Sequence, residues 1–289
     1  ANLTLLLLWL RSQVRRLPKV AEVGWACNVL EFPFLEKRFM SNTPSISEPL
    51  ISEPSISEIA RTIDHALLHP TMTEAQIVEG CQLALRLNLA SVCVKPYAIP
   101  IAAKVLAGSA VGVGTVIGFP HGSHPTAVKA FEAQWACDQG AVELDMVVNV
   151  GKVIQGDWEY VRNDIRAVQD VAKANNAILK VIFETDFVTE LADKQKLCEI
   201  CDQLIVDFVK TSTGFGFTKS GSGYNYVGAT EEDVALMRKV CRPAVGVKAS
   251  GGIRNRTDAL KFIALGCTRL GTSASEAILK SDQTDVKSY

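Results

Sequence analysis

Phe208-Val209-Lys210-Thr211-Ser212-Thr213-Gly214 reads as the end of a buried strand that runs into a lysine, three hydroxyl side chains and a glycine. Phe208 and Val209 are strand formers, and Leu204, Ile205 and Val206 before them are apolar. A lysine is costly to bury unless its charge is paired or given up, and an amine that gives up its charge becomes a nucleophile. What surrounds Lys210 therefore decides both the fold and the chemistry.

Outward from this strand, apolar β-branched runs alternate with amphipathic stretches. The runs are Ile63–Leu68, Ala90–Val94, Val111–Phe119, Val142–Val148, Ile178–Phe183, Ile205–Val209, Ala244–Val247 and Thr268–Gly271. Between them lie Thr73–Leu87, a shorter Tyr97–Leu106 containing Pro100, Pro125–Asp138, Asp157–Ala174, Glu190–Asp202, Thr230–Val240 and Arg256–Ala264. Thr71-Met72-Thr73-Glu74 and Thr230-Glu231-Glu232-Asp233 carry helix-start signals, while Gly140 and Gly266 close helices. Eight such units predict an α/β fold, a (β/α)8 TIM barrel, whose usual size is about 250 residues. A doubly wound open sheet would show a Gly-rich turn after its first strand, and Leu67-Leu68-His69-Pro70 is not one.

Residues 1–58 differ from the rest and are expected to form a poorly structured N-terminal extension. Leu3–Leu10 is a short apolar run followed by Arg11, Arg15, Arg16 and Lys19, with no acidic residue before Glu22. It is too short to span a bilayer, and its basic residues follow the run where a secretory signal has them first. A transit peptide and an upstream segment that never folds both fit. A pentad repeat follows, ending Leu50-Ile51-Ser52-Glu53-Pro54 and Ser55-Ile56-Ser57-Glu58-Ile59, and reads as a linker. The barrel is expected over 59–280 and a polar tail over 281–289.

Of 289 residues, 48% are hydrophobic, enough for a large core, and the formal net charge is −1. A near-neutral surface argues against nucleic-acid partners. Eight cysteines lie scattered, several in apolar runs, which suits free thiols in a reducing compartment and a cytoplasmic protein. Cys198-Glu199-Ile200-Cys201 falls within a helical pattern without a second pair, so it is read as two ordinary helix cysteines.

The active site of such a barrel gathers at the C-terminal ends of its strands. Three consecutive strands carry a lysine within an apolar run: Lys180, Lys210 and Lys248, with Asp145 and Glu184 nearby. Crowded ammonium groups repel, so the amine flanked on both sides, Lys210, should be the easiest to deprotonate. A neutral amine attacks an aldehyde to form a Schiff base. Lys248 would depress that pKa and shuttle protons, and Asp145 would position water or accept a proton. Lys180 remains a competing nucleophile at this point.

Ser250-Gly251-Gly252 after strand seven and Gly271-Thr272-Ser273 after strand eight are small turns whose backbone N–H groups suit a phosphate. His65, His69, His121 and His124 raise a metal site, yet neither pair has the helical spacing of paired ligands.

Taken together, Ile63-Asp64-His65-Ala66-Leu67-Leu68, Ser91-Val92-Cys93-Val94, Gly118-Phe119-Pro120-His121-Gly122, Glu143–Asn149, Leu179–Thr185, Phe208–Gly214 and Val245–Arg254 resemble the deoxyribose-phosphate aldolase family, class I aldolases that work through a Schiff base. The resemblance runs from about residue 60 to 280. It implies a reversible cleavage of 2-deoxy-D-ribose 5-phosphate, with Lys210 as the Schiff-base lysine, Lys248 its perturbing neighbour and Asp145 the strand-four aspartate. It further implies substrate contacts from Asp64, Cys93, Lys180, Thr213, Gly214, Gly251, Gly252 and Ser273, and neither metal nor organic cofactor. Small sugar phosphates and aldehydes are the implied partners, without nucleic acid or membrane; a homodimer is the assembly considered. Some members place a lysine directly after the motif glycine, where this chain has Phe215, and Lys219 is the nearby substitute considered. Some also end in a tyrosine that enters the site; Tyr289 matches that position, against the plainer expectation of a frayed terminus. A metal-dependent barrel hydrolase and a non-catalytic sugar-phosphate-binding barrel are the alternatives.

Overall fold

The computed structural model describes residues 53–220 and 223–280, so most of the N-terminal extension, the tail and Tyr289 lie outside the described residues. The strands are β1 (Ile63–Leu67), β2 (Ser91–Val94), β3 (Gly112–Ile117), β4 (Glu143–Val147), β5 (Ile178–Ile182), β6 (Phe208–Lys210), β7 (Thr218–Ser220), β8 (Gly223–Asn225), β9 (Gly246–Ser250) and β10 (Arg269–Thr272). Eight of them close into a parallel barrel in the spatial order β1-β10-β9-β6-β5-β4-β3-β2, while β7 and β8 pair antiparallel in a separate hairpin.

The helices are α1 (Ile56–Ala60), α2 (Glu74–Leu87), α3 (Ile99–Leu106), α4 (Thr126–Asp138), α5 (Val150–Ile154), α6 (Trp158–Ala174), α7 (Leu191–Leu204), α8 (Glu231–Val240), α9 (Arg256–Ala264) and α10 (Ser275–Leu279). Their starts follow the local chemistry. Thr73 accepts a hydrogen bond from Gln76 N while the Gln76 side chain answers the Thr73 N–H, a reciprocal cap for α2. Thr230 caps α8 through Asp233 N, and three acidic residues in the first turn suit the positive end of the helix dipole.

Several boundaries move from the expected ones. The last pentad, read as linker, is helical: Ser55 and Glu58 form a capping box over α1, which packs on α10. The apolar Leu204-Ile205-Val206, read as the approach of strand six, instead closes a helix. Leu204 ends α7 and Ile205 takes the left-handed conformation (φ 54°) as its cap, so β6 begins only at Phe208. Strand seven runs later than expected and encloses Lys248. Asn149, grouped with the strand-four residues, caps α5 through Lys152 N. The glycine- and tyrosine-rich stretch after Gly214 contains the β7–β8 hairpin, which its sequence pattern did not announce.

The apolar core lies between the strands and the helices. Outward-facing Leu144, Met146, Leu179, Val181 and Val209 pack against buried helix residues such as Ile165, Val168 and Leu197. The barrel interior is different. Such interiors are mostly filled with branched apolar side chains, whereas here buried Asp64, Glu143, Asp145, Lys180, Lys210 and Lys248 occupy much of it. Among the described residues, no helix is long and apolar enough to cross a membrane.

Candidate active site

Strand register sets the level of each interior charge. Asp145 on β4 pairs with Lys180 on β5, and Lys180 pairs with Phe208 on β6. Lys210, two residues further along β6, pairs with Ile182 on one side and Lys248 on the other. Two of the three lysines thus share a level, and Lys180 sits one level closer to the N-terminal end of the barrel. The expectation that Lys210 is flanked by lysines on both sides is corrected: its β5 neighbour is Ile182.

The carboxylates are shared unequally. Lys180 Nζ lies 2.6 Å from Glu143, 2.8 Å from Asp145 Oδ1 and 3.2 Å from Asp64. Lys248 Nζ has two such partners, Asp64 Oδ2 at 2.5 Å and Asp145 Oδ2 at 2.7 Å. Lys210 has one, Asp145 Oδ2 at 2.7 Å, the oxygen it shares with Lys248. All three lysines are at most 2% exposed.

Burial disfavours an ammonium on each of them, and the partners decide the outcome. On Lys180, Asp145, Asp64 and Glu143 outweigh burial and hold the pKa well above the usual lysine value. On Lys248, Asp145 and Asp64 do the same. On Lys210, burial prevails over Asp145, helped by the charge of Lys248, and the pKa falls below the usual value. Asp145 and Asp64 are both held ionised, the surrounding lysines overcoming the cost of burial. Lys210 is therefore the amine that most readily becomes a nucleophile. Lys180 donates hydrogen bonds to Glu143 and Asp145 and lies 3.2 Å from Asp64, a set of partners that does not suit the substrate contact expected of it.

Asp64 also accepts from Ser91 Oγ (2.7 Å) and faces Arg269, so it belongs to the floor of the cluster. Cys93 faces the same cluster from β2, its thiol pushed up to about 11 chiefly by burial. Beside it, Leu68, Val116, Phe119 and Phe215 make a small apolar wall, with the Phe119 and Phe215 rings edge-to-face at 5.4 Å.

Above the lysines opens a cleft of about 580 Å³, lined by Thr213, Gly214, Gly251, Gly252 and Ser273. Gly251 (φ 94°) and Gly252 (φ 81°) are both left-handed, a conformation other residues take at a cost, and this turns the chain after β9 toward the cleft. Gly271 serves close approach: a Cβ there would lie 2.5 Å from Ser250 Oγ and 3.1 Å from Lys248 Cε. Ser250 is the next inward residue after Lys248 on β9, so the cleft sits directly over the lysines.

Three residues to which sequence reasoning gave no role take part here. Arg254 lines the cleft beside Gly252 and is a cation placed to meet an anion there. Lys219, the substitute considered for the absent motif lysine, is exposed on the hairpin and does not line the cleft. Glu184 is buried at a positive φ of 55°, bonded to the Thr213 hydroxyl, and burial raises its pKa to about 7. Arg269 reaches into the floor from β10; a charged residue inside an apolar strand run was the signal, the same that identified the lysines.

The histidines do not converge on a metal site. His65 Nδ1 is bonded to Ser275 Oγ at 2.8 Å, with burial pushing its pKa down to about 4, and His69 Nδ1 meets Thr71 Oγ1. Among the described residues, no group of three or more His, Cys, Asp or Glu side chains is arranged to hold a metal ion. Cys198 and Cys201 are buried free thiols on α7.

A parallel (β/α)8 barrel with a depressed lysine pKa beneath a cleft at its strand ends defines a barrel enzyme built for carbonyl chemistry. The chain belongs to the DeoC/LacD aldolase family, whose model matches residues 59–267. It is 48% identical over 225 residues to the deoxyribose-phosphate aldolase of Carboxydothermus hydrogenoformans, covering 77% of this chain and 94% of that one. Against the deoxyribose-phosphate aldolase of Clostridium perfringens the identity is 47% over 228 residues, covering 79% and 97%. The solved tetrameric deoxyribose phosphate aldolase of Aeropyrum pernix superposes with a TM-score of 0.68 at 30% identity, covering 80% of this chain and 93% of that one.

Proposed function

We propose that this chain reversibly cleaves 2-deoxy-D-ribose 5-phosphate to D-glyceraldehyde 3-phosphate and acetaldehyde through a Schiff base on Lys210, in deoxyribonucleotide catabolism. The observation that carries this is the unequal sharing of carboxylates: one partner for Lys210, two for Lys248, three for Lys180. Relatives spanning nearly their whole length carry the activity in their names.

The Lys210 amine adds to the C1 aldehyde of the open-chain sugar phosphate and, after loss of water, becomes a protonated imine. The imine withdraws the electrons of the C2–C3 bond as the C3 hydroxyl gives up its proton, and glyceraldehyde 3-phosphate leaves. The enamine left on Lys210 is protonated at C2 and hydrolysed, freeing acetaldehyde and the amine. Asp145, 2.7 Å from both Lys210 and Lys248, is placed to accept protons and return them, with Lys248 staying charged as the shuttle.

The phosphate is assigned to the turns at Gly214, Gly251, Gly252 and Ser273, with Arg254 in place of a lysine at Phe215. Arg254→Ala is expected to raise KM for 2-deoxyribose 5-phosphate about tenfold, the scale of one charge-assisted hydrogen bond. With unphosphorylated 2-deoxyribose it should change little, and equal losses on both would remove Arg254 from the phosphate site.

The test of the reaction is borohydride reduction with acetaldehyde, followed by mass spectrometry and peptide mapping. An ethyl group on the Lys210 peptide is expected. Binding of the sugar phosphate without any adduct would make this a non-catalytic barrel, and an adduct on Lys180 would move the nucleophile. Cytoplasmic placement goes with a phosphorylated substrate and with the free cysteines of the described residues. Self-association goes with it too, the A. pernix relative being tetrameric and a homodimer the simpler assembly.

A further inference from the structure

The fourth cation of the barrel interior, Arg269, takes no part in the steps above. It opens β10 and pairs in register with Lys248. Its Nη1 lies 2.5 Å from Asp64 Oδ1 and 3.0 Å from Glu143 Oε1, and its guanidinium stands 5.4 Å from the centroid of the Phe208 ring. Phe208 is two residues before Lys210 on the same strand, and the carboxylates that Arg269 meets, Asp64 and Glu143, are not the one that holds the reacting amine, Asp145.

Count the charges that face the cluster from each strand. Asp64 comes from β1, Glu143 and Asp145 from β4, Lys180 from β5, Lys210 from β6, Lys248 from β9 and Arg269 from β10. The β2 thiol of Cys93 is neutral at physiological pH, and β3 turns Gly114 and Val116 toward this space. His65 is turned to Ser275, and Glu184, beyond β5, is bound to Thr213 with its pKa raised to about 7 by burial. With every cluster group charged, four cations would face three carboxylates. Water-excluded interiors penalise an unpaired charge, so one proton is shed. A guanidinium does not shed its proton, and Lys180 and Lys248 have more carboxylate partners than Lys210.

We propose that Arg269 is a positioning residue that keeps the Lys210 amine unprotonated, because its permanent charge on Asp64 and Glu143 leaves the cluster one cation too rich. The proposal rests on Lys210 being the Schiff-base lysine. It gives Arg269 a part distinct from that of Lys248. Without Arg269, three lysines balance three carboxylates, and Lys210 stays an ammonium even with Lys248 beside it.

The experiment follows the pH dependence of borohydride trapping of acetaldehyde on Lys210, together with kcat/KM on 2-deoxyribose 5-phosphate. Arg269→Met removes a positive charge, favours the ammonium and should move the acid limb up by about one pH unit or more, a roughly tenfold loss on that limb. Glu143→Gln removes a negative charge and should move the limb down. The double variant loses one of each and should return near the wild-type position, while Arg269→Lys, which keeps the charge, should hold it. A merely structural role would reduce the amount of folded enzyme, leave the limb in place and make the double variant worse than either single one.

An unmoved limb in folded Arg269→Met, or shifts of one sign in both single variants, would overturn the proposal. If Arg269→Met does not fold, Glu143→Gln decides alone: a lower limb supports the proposal, and an unmoved or higher one overturns it. Absence of any Lys210 adduct in the wild-type protein would instead sink the Schiff-base assignment itself.

Discussion

Lys210→Ala is expected to abolish borohydride trapping with acetaldehyde and to lower turnover of 2-deoxyribose 5-phosphate by on the order of 10⁴–10⁶-fold, the scale seen when a covalent nucleophile is removed. The variant should fold. Asp145 keeps Lys180 at 2.8 Å and Lys248 at 2.7 Å, so no buried carboxylate is left alone. It also leaves the interior charges balanced, with Lys180, Lys248 and Arg269 against Asp64, Glu143 and Asp145. Thermal denaturation should therefore give a Tm no lower than that of the parent. Lys180→Ala is the matching control. It strips one partner from each of three buried carboxylates, so its main effect should be lost stability, several kcal/mol at the scale of a broken buried ion pair. Trapping retained in Lys210→Ala and lost in a folded Lys180→Ala would reverse the roles of the two lysines.

Asp145→Asn should separate bond cleavage from Schiff-base formation. The carboxylate is the one group in contact with all three lysines, and the step that depends on it is proton transfer. Losing a positioned general base typically costs 10²–10⁴-fold, and turnover should fall by about that factor. Trapping should persist and extend to lower pH. The sign follows from the charges: Asp145 opposes the depressed pKa of Lys210, so its removal lowers that pKa further and exposes the free amine in more acidic solution. Stability should fall by roughly 3–5 kcal/mol, because three buried lysines lose a shared counter-ion. Single-turnover measurement of enamine formation beside trapping would check this. Equal loss of both would give Asp145 a part in forming the Schiff base as well.

The alternation of strand and helix was legible because its signals are local. Caps such as Thr73 and Thr230, glycines at helix ends and apolar runs each specify their own unit, and the eight units close into the barrel in chain order except where the hairpin intervenes. Reading failed where local pattern and tertiary contact disagree. Ile205 belongs to an apolar run, yet it caps α7 in the left-handed conformation, because the chain must turn from helix to strand there. The hairpin lacks the alternation of a half-buried sheet: Phe217, Tyr224 and Val227 in and beside it are all exposed.

By itself, the sequence determined that three lysines lie within consecutive barrel strands and that small turns follow strands seven and eight. These are properties of position along the chain, and side-chain alternation carries them into space. Only the tertiary structure decided which lysine holds its proton least tightly. The stagger between strands puts Lys210 level with Lys248 and drops Lys180 to a lower level, among Glu143, Asp64 and Asp145. Arg269 reaches Glu143 and Asp64 as well, from a position 126 residues beyond Glu143 in the chain. Proton affinity in a dry interior depends on how many opposite charges lie within a few ångströms, and that count does not exist until the barrel closes.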